Sequence, residues 1–492
     1  VIIVLLYNWL MNAVKAKGGA KALIYRDTYL SWRGLCHRVD RRADEFESMG
    51  VRSGDVVGVM LGNVPDFLIL SLALSKLKAA PLPLDPTTST RELEMIMSIL
   101  PLRGMITRPR GGDAPVPQGP TLPGDPAKKQ TPETRRRLQG TLLSCSIYAT
   151  EERSVPRKIA DQIAAVLVTT DSAGDPKPVE RTVANLTAEA ESLVRALDLK
   201  VEDRALLTLP LFHAFGFDLG MAAALSIGMT LYLEDELAPA RITKLLREQK
   251  ITVFPSSSVT LFSELARLPA SRPLDHEPIR LLSLGGSLSG ATLENFRKKY
   301  GVRPLSCFHS SETGTISLDA TGKAGQTVGT PLEGIELRIT SQSTKKPVSG
   351  SRKGTLWVRG PSISPLKLCS LPPAGKDIPV GGRDKEGWYR TGDIASIDKS
   401  GRLILKGRED DLVQVDGRRV ALGEVEGCIE THPRVSVAQA EVVTDPFAGP
   451  IVVAKIVTRG RGKIDTENII DHCAKNLSPY KVPRRIEICE SL

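Results

Sequence analysis

The chain has 492 residues, 41% hydrophobic and 25% charged, which excludes a disordered or fibrous chain and exceeds one ordinary core. Its seven scattered cysteines show no CxxC spacing; they exclude a disulfide framework or zinc ribbon and fit a reducing cytoplasm. The formal charge of +10 is enough to attract an anionic partner.

The opening run VIIVLLYNWL is too short to span a bilayer and has no basic start or cleavage site. It reads as the first turns of a core-packing helix, so no transmembrane segment is expected. Val56–Leu61 reads as a strand, Phe67–Lys76 as a helix and Ala80–Leu84 as a strand, the rhythm of a parallel sheet faced by helices. Between Arg103 and Lys158 eleven Lys or Arg stand against five Asp or Glu, with Tyr148 the lone aromatic. Without interleaved aromatics a nucleic-acid partner has little support, and a solvated insertion is the favoured reading. Residues 111–132 are rich in Pro and Gly and read as a loop. Ala164–Thr170 reads as a buried strand. Further strands are expected near Arg204–Leu209, Thr230–Leu233, Val253–Phe254 and Arg280–Leu284. Residues 315–410 look strand-rich. A last α/β unit holds helix Gly423–Thr431, strands Val435–Val443 and Val452–Val457, and helix Thr466–Asn476.

Five motifs carry chemistry. TTDSAGDPKPV (Thr169–Val179) follows a strand and ends in a lysine. Such loops wrap phosphate oxygens with backbone N–H groups and a cation, although a surface turn fits equally well. LPLFHAFGF (Leu209–Phe217) sets His213 among aromatics, where a satisfied core histidine is the usual outcome. LGGSL (Leu284–Leu288) is a strand entering a glycine turn, which lets backbone approach a flat ligand. In CFHSSETG (Cys307–Gly314), Glu312 could hold Mg²⁺ or sit in a polar turn. In Gly387–Glu426, Asp393 could accept from ribose hydroxyls and Arg408 pair with phosphate. Singly, each residue is more often a surface charge.

In this order, with GVRSGDVVGVM (Gly50–Met60), NVPDF (Asn63–Phe67), PLPLDP (Pro81–Pro86) and SPYKVP (Ser478–Pro483), the motifs resemble the adenylate-forming superfamily of acyl-CoA synthetases, aryl-CoA ligases, luciferases and adenylation domains. The resemblance spans essentially the whole chain. It implies an α/β fold: a large N-terminal domain (1–409) of mostly parallel sheets flanked by helices, with a small β-barrel-like subdomain, then a small mobile α+β domain (410–492). It implies activation of a carboxylic acid, in the first reading a fatty acid, by ATP and Mg²⁺ to acyl-AMP, then transfer to coenzyme A. Thr169, Thr170, Ser172, Gly174 and Lys177 would belong to the phosphate loop. Gly285, Gly286, Ser287, Phe308, His309, Ser310, Ser311, Glu312, Asp393 and Arg408 would contact the nucleotide, with Phe308 on adenine and Glu312 on Mg²⁺. His213, Phe215, Gly286 and His309 would line the acyl site. Lys177, His213, Glu312 and Arg408 are the catalytic candidates, Asp410 the hinge, and Gly417 the residue of the loop that enters for thioester formation. An acyl carrier protein in place of coenzyme A, or a non-catalytic binding protein, are the alternatives.

The chain departs from the family pattern at several places. Asp171 stands where a Gly is usual, and facing pyrophosphate it would be repelled by roughly 1–4 kcal/mol unless it turns outward or helps hold Mg²⁺. Ala173 replaces a Thr, Pro178 a Gly, Val183 a His, and His309 a Gly beside the acyl carboxylate, where an imidazole narrows the pocket or contacts the ligand. The family's adenylation lysine falls just past Leu492, and Lys481 belongs to an earlier motif. Either the chain is clipped, which the absent initiator Met and the stop at Glu-Ser-Leu favour, or the enzyme lacks this lysine.

Overall fold

The computed structural model describes residues 6–100, 102–107, 135–138, 145–149, 162–170, 175–256, 259–268, 280–284, 290–321, 327–348, 351–366, 381–409, 412–445, 448–459 and 465–489. Most of the basic insertion and the whole Pro/Gly-rich stretch 111–132 lie outside them. No helix among the described residues is long and apolar enough to cross a membrane. The opening run becomes helix Leu6–Lys17, which buries Leu6, Trp9, Leu10 and Ala13.

The largest sheet has nine strands. Its centre is parallel, running through Lys21–Tyr25, Thr230–Leu233, Arg204–Leu207, Val253–Ser256, Arg280–Leu284 and Leu305–Ser310. Antiparallel strands close both edges. A five-stranded sheet includes Val56–Met60, paired in parallel with Ala80–Pro83 and Gly104–Thr107. These strands are apolar on both faces because helices cover them. Helix Pro65–Lys76 is buried nearly all round, with Pro65 at its first turn, where a missing N–H costs nothing.

Asn63 joins the two sheets. Its amide Nδ2 donates to the carbonyls of Leu207, Leu209 and Glu234, and its Oδ1 accepts from Leu211 N at 2.7 Å. A buried amide with its hydrogen bonds made fixes the Leu209–Leu211 backbone and so aims the segment carrying His213. The following π-helical turn, Gly216–Ala223, requires its first glycine: a Cβ on Gly216 would lie 2.1 Å from the carbonyl oxygen of Pro210.

Four antiparallel strands, Glu336–Thr340, Gly354–Arg359, Tyr389–Ile397 and Leu403–Arg408, form the β subdomain. Beyond it, hairpin Leu412–Val415/Arg418–Ala421, helix Leu422–Glu430, strands Val435–Asp445, Gly449–Thr458 and Arg485–Ile488, and helix Thr466–Asn476 share a core of their own. It includes Val415, Val425, Ile429, Ile456 and Ile469.

Candidate active site

Strands Ile163–Thr170 and Pro176–Thr182 form an antiparallel pair that sets Thr169 opposite Lys177. Lys177 Nζ donates to Gly381 O at 3.0 Å. Ser310 ends strand Leu305–Ser310, Ser311 follows it, and the turn then buries Glu312. Thr169, Thr170, His213, His309, Ser310, Ser311 and Gly417 all line one cavity of about 190 Å³.

The C-terminal hairpin is seated in that cavity. Gly417 has φ +76°, and its carbonyl oxygen accepts from His213 Nε2 at 3.1 Å. His213 Nδ1 accepts from Phe215 N at 3.3 Å, so these bonds assign the proton to Nε2. Burial, then the charges of His309 and Arg418, lowers the His213 pKa to about 4; the ring is neutral at pH 7. Arg418 pairs with Asp85 at 2.7 Å and lies over the rings of Phe212 and Tyr480. Arg419, on the other face of the strand, pairs with Glu312 Oε1 at 2.8 Å and approaches Thr169 Oγ1 at 3.3 Å. Burial alone would push the Glu312 carboxyl up; Arg419 and then Lys177 hold it well below the usual carboxylate range. Glu312 Oε2 is buried and makes no hydrogen bond of regular geometry among the described residues, while the Tyr389 hydroxyl stands beside the carboxylate. An anionic oxygen so placed fits a hard divalent cation such as Mg²⁺.

Lys481 is also part of this interface. Its Nζ donates to Glu92 and, at 2.9 Å, to Glu424. Glu92 belongs to the capping box of helix Thr90–Ile99, and Ser478 Oγ donates to it as well.

Behind the cavity lies a buried charged cluster. Arg181 Nη2 donates to Glu189 and, at 3.3 Å, to Asp218 Oδ2, while its Nη1 donates to Ser362 O at 2.6 Å. His309 Nε2 lies 3.0 Å from Asp218 Oδ2, and its ring meets Phe215 edge-on at 5.1 Å. Glu189 Oε1 accepts from Thr315 N and Oγ1, each at 2.8 Å. Burial, then Asp218, pushes Glu189 up to about 7. Burial likewise lowers His309 to about 4. His309 lines the cavity with its side chain only 2% exposed, and Phe215 is fully buried beneath it. Phe215 is not among the residues lining the cavity.

Asp393 and Arg408 pair across neighbouring strands at 2.9 Å. Burial raises the Asp393 carboxyl, with Arg408 opposing. Phe308 packs into the main core at 9% exposure. Asp171, Ser172, Ala173, Gly174, Gly285, Gly286, Ser287 and Asp410 lie outside the described residues. Sequence reasoning missed Arg419, Arg418, Arg181, Glu189 and Asp218. For Arg419 a signal existed: it stands two residues past Gly417 in the hairpin. Nothing in PVERTV marks Arg181 as buried.

Two family models match this chain: AMP-binding enzyme over residues 10–365 and AMP-binding enzyme C-terminal domain over 424–492. The chain belongs to the AMP-binding enzyme family. The medium-chain fatty-acid–CoA ligase of Escherichia coli strain K12 is 24% identical, covering 94% of this chain and 82% of its own. The 2-succinylbenzoate–CoA ligase of Bacillus licheniformis is 26% identical over 99% of this chain and 96% of its own. Among solved structures, o-succinylbenzoate CoA synthetase from Bacillus subtilis is 22% identical and covers 99% of this chain. Its form with a CoA product analogue covers 95% of its own chain with a TM-score of 0.79. Its form with ATP and a magnesium ion covers 96% with 0.66.

Proposed function

We propose that this enzyme joins a carboxylic acid to the thiol of coenzyme A at the expense of ATP, through an acyl-AMP. The observation that carries the reading is the hairpin seated at His213 and Glu312, in the cavity shared by Thr169, Thr170 and Ser310. Residues expected to serve nucleotide and thiol steps meet in one place, and the hinge is assigned to Asp410, between units 1–409 and 410–492.

In the first step the acid's carboxylate attacks the α-phosphorus and pyrophosphate leaves. Lys177 offsets the charge of two anions brought together, and positioning supplies most of the rate. Glu312, through its Oε2, would hold Mg²⁺, which supplies charge neutralisation on the phosphates. Asp393 would hold the ribose and Arg408 the nucleotide. In the second step the thiol sulfur attacks the acyl carbonyl, AMP leaves with the bonding pair, and the thiol proton passes to solvent. Neutral His213 orients Gly417 there and takes up no proton at pH 7. A reducing cytoplasm belongs to this reading, and a carrier-protein thiol is the other acceptor to test.

Within this reading a compact acid is favoured over the fatty acid first expected. The cavity falls below the roughly 300–1,000 Å³ usual for small-molecule pockets, and His309 with Phe215 fills the space behind it. The decisive experiment is ATP–pyrophosphate exchange by the full-length protein across short, aryl and long-chain acids, followed by addition of coenzyme A or a holo-carrier protein. Exchange with no acid would overturn enzymatic function; exchange with long-chain acids alone would overturn the compact-acid reading.

A further inference from the structure

We propose that Arg419 and a divalent cation take turns on Glu312, so that Arg419 keeps the two half-reactions in order. The inference rests on Glu312 being the metal's ligand, as proposed above.

Three observations support it. Arg419 Nη1 is 2.8 Å from Glu312 Oε1, with the two side chains 17% and 2% exposed. Arg419 sits on a short hairpin strand, Arg418–Ala421, paired with Leu412–Val415. Its reach is therefore tied to the hairpin's position: the guanidinium meets Glu312 while Gly417 rests on His213. Finally, the other oxygen of Glu312 is buried with no cation on it and only the Tyr389 hydroxyl near the carboxylate, so a cation bound there would face the guanidinium across a single carboxylate. Like charges that close, away from bulk water, repel strongly.

The same carboxylate is also costly when bare. A buried anion without a counter-charge is strongly disfavoured. When pyrophosphate carries the metal away, Glu312 is left in that state, and the arriving Arg419 restores the charge balance. Metal departure thus favours seating of the hairpin, and a bound metal resists it. Arg419 acts here as a positioning residue: it reports to the C-terminal unit whether the first step has finished.

Mn²⁺, read by electron paramagnetic resonance, tests this on the nucleotide-free protein. Arg419→Gln should bind one Mn²⁺ at least about ten-fold more tightly than the wild type, and Arg419→Lys, which keeps the charge, should resemble the wild type. Amide exchange across residues 412–421 should rise when Mn²⁺ is added to the wild type, and should already be high in Arg419→Gln without it. Equal Mn²⁺ affinity in wild type and Arg419→Gln, with the site lost in Glu312→Gln, would overturn the alternation alone. Tight Mn²⁺ binding that survives in the double variant Glu312→Gln/Arg419→Gln would show that Glu312 is not the ligand, and the metal assignment would fall with the inference.

Discussion

His213 donates its Nε2 proton to the carbonyl oxygen of Gly417, 204 residues away, across 3.1 Å. The bond depends on a backbone that only glycine adopts without strain, since Gly417 has φ +76°. A Cβ there costs about 1–3 kcal/mol. Gly417→Ala should therefore slow thioester formation about ten-fold or more while leaving pyrophosphate exchange near wild type. Exchange and coenzyme A consumption, measured separately, check this; equal losses in both would refute a role confined to the second step.

Acid should weaken the fold with a predictable sign. His213 and His309 titrate near 4 in the folded chain, below the ordinary histidine value of about 6.5. Their stabilising contribution is full above about 6.5 and is lost as pH falls toward 4. Glu189, raised to about 7, acts in the opposite direction: its contribution is present below about 4.5 and fades as pH rises through 7. Each histidine contributes a fall of up to about 1.4 kcal/mol per pH unit on acidification between about 4 and 6.5, which Glu189 and Asp218, whose carboxyl burial also raises, partly offset. Urea unfolding across this range measures the slope, and His309→Gln should flatten it.

Arg181 bridges Glu189 and Asp218 with all three side chains essentially unexposed. Arg181→Met leaves two buried carboxylates without their cation, and the expected cost is about 3–5 kcal/mol in a denaturation midpoint experiment. Adding Asp218→Asn should recover part of the loss. A midpoint unchanged in the single variant would show that the carboxylates already share a proton and need no guanidinium.

On the compact-acid reading proposed above, His309 limits the acid. Its ring rests against Phe215 and Asp218, so His309→Gly opens a void continuous with the cavity. Preference should shift toward longer acids, each added methylene gaining about 1–3 kcal/mol of discrimination. The readout is the ratio of kcat/KM for a short and a medium-length acid; an unchanged ratio would place the acyl boundary elsewhere.

Lys481 joins the two units through Glu92 and Glu424. Lys481→Met keeps the bulk and removes the charge. Losing charge-assisted hydrogen bonds worth about 1.5–3 kcal/mol should slow thioester formation about ten-fold and spare pyrophosphate exchange. Small-angle scattering should then show a wider separation of the units.

The strands and helices were legible because their periodicity is strong. Thr230–Leu233, Arg280–Leu284 and Thr466–Asn476 have the bounds the sequence suggests. Helix Pro65–Lys76 begins earlier than its apolar run because Pro65 suits a first turn. The motifs marked Glu312, His213 and Gly417, yet their partners were hidden. Arg419 meets Glu312 across 107 residues and Arg181 meets Asp218 across 37; no local pattern encodes such pairings. The buried cluster was hidden for another reason. Arg, Glu and Asp are read as surface residues, and only three-dimensional charge balance accounts for them inside.

Glu92 gives the interface a graceful exit. Its Oε2 already accepts from Ser89 N and Ser89 Oγ at the start of helix Thr90–Ile99. In the proposed rotation about Asp410, Lys481 and Ser478 would withdraw, and that carboxylate would return to its helix and to water with acceptor work still to do. The docking post is thus never stranded, and a clasp of this kind can be made and broken at every turnover without unfolding anything.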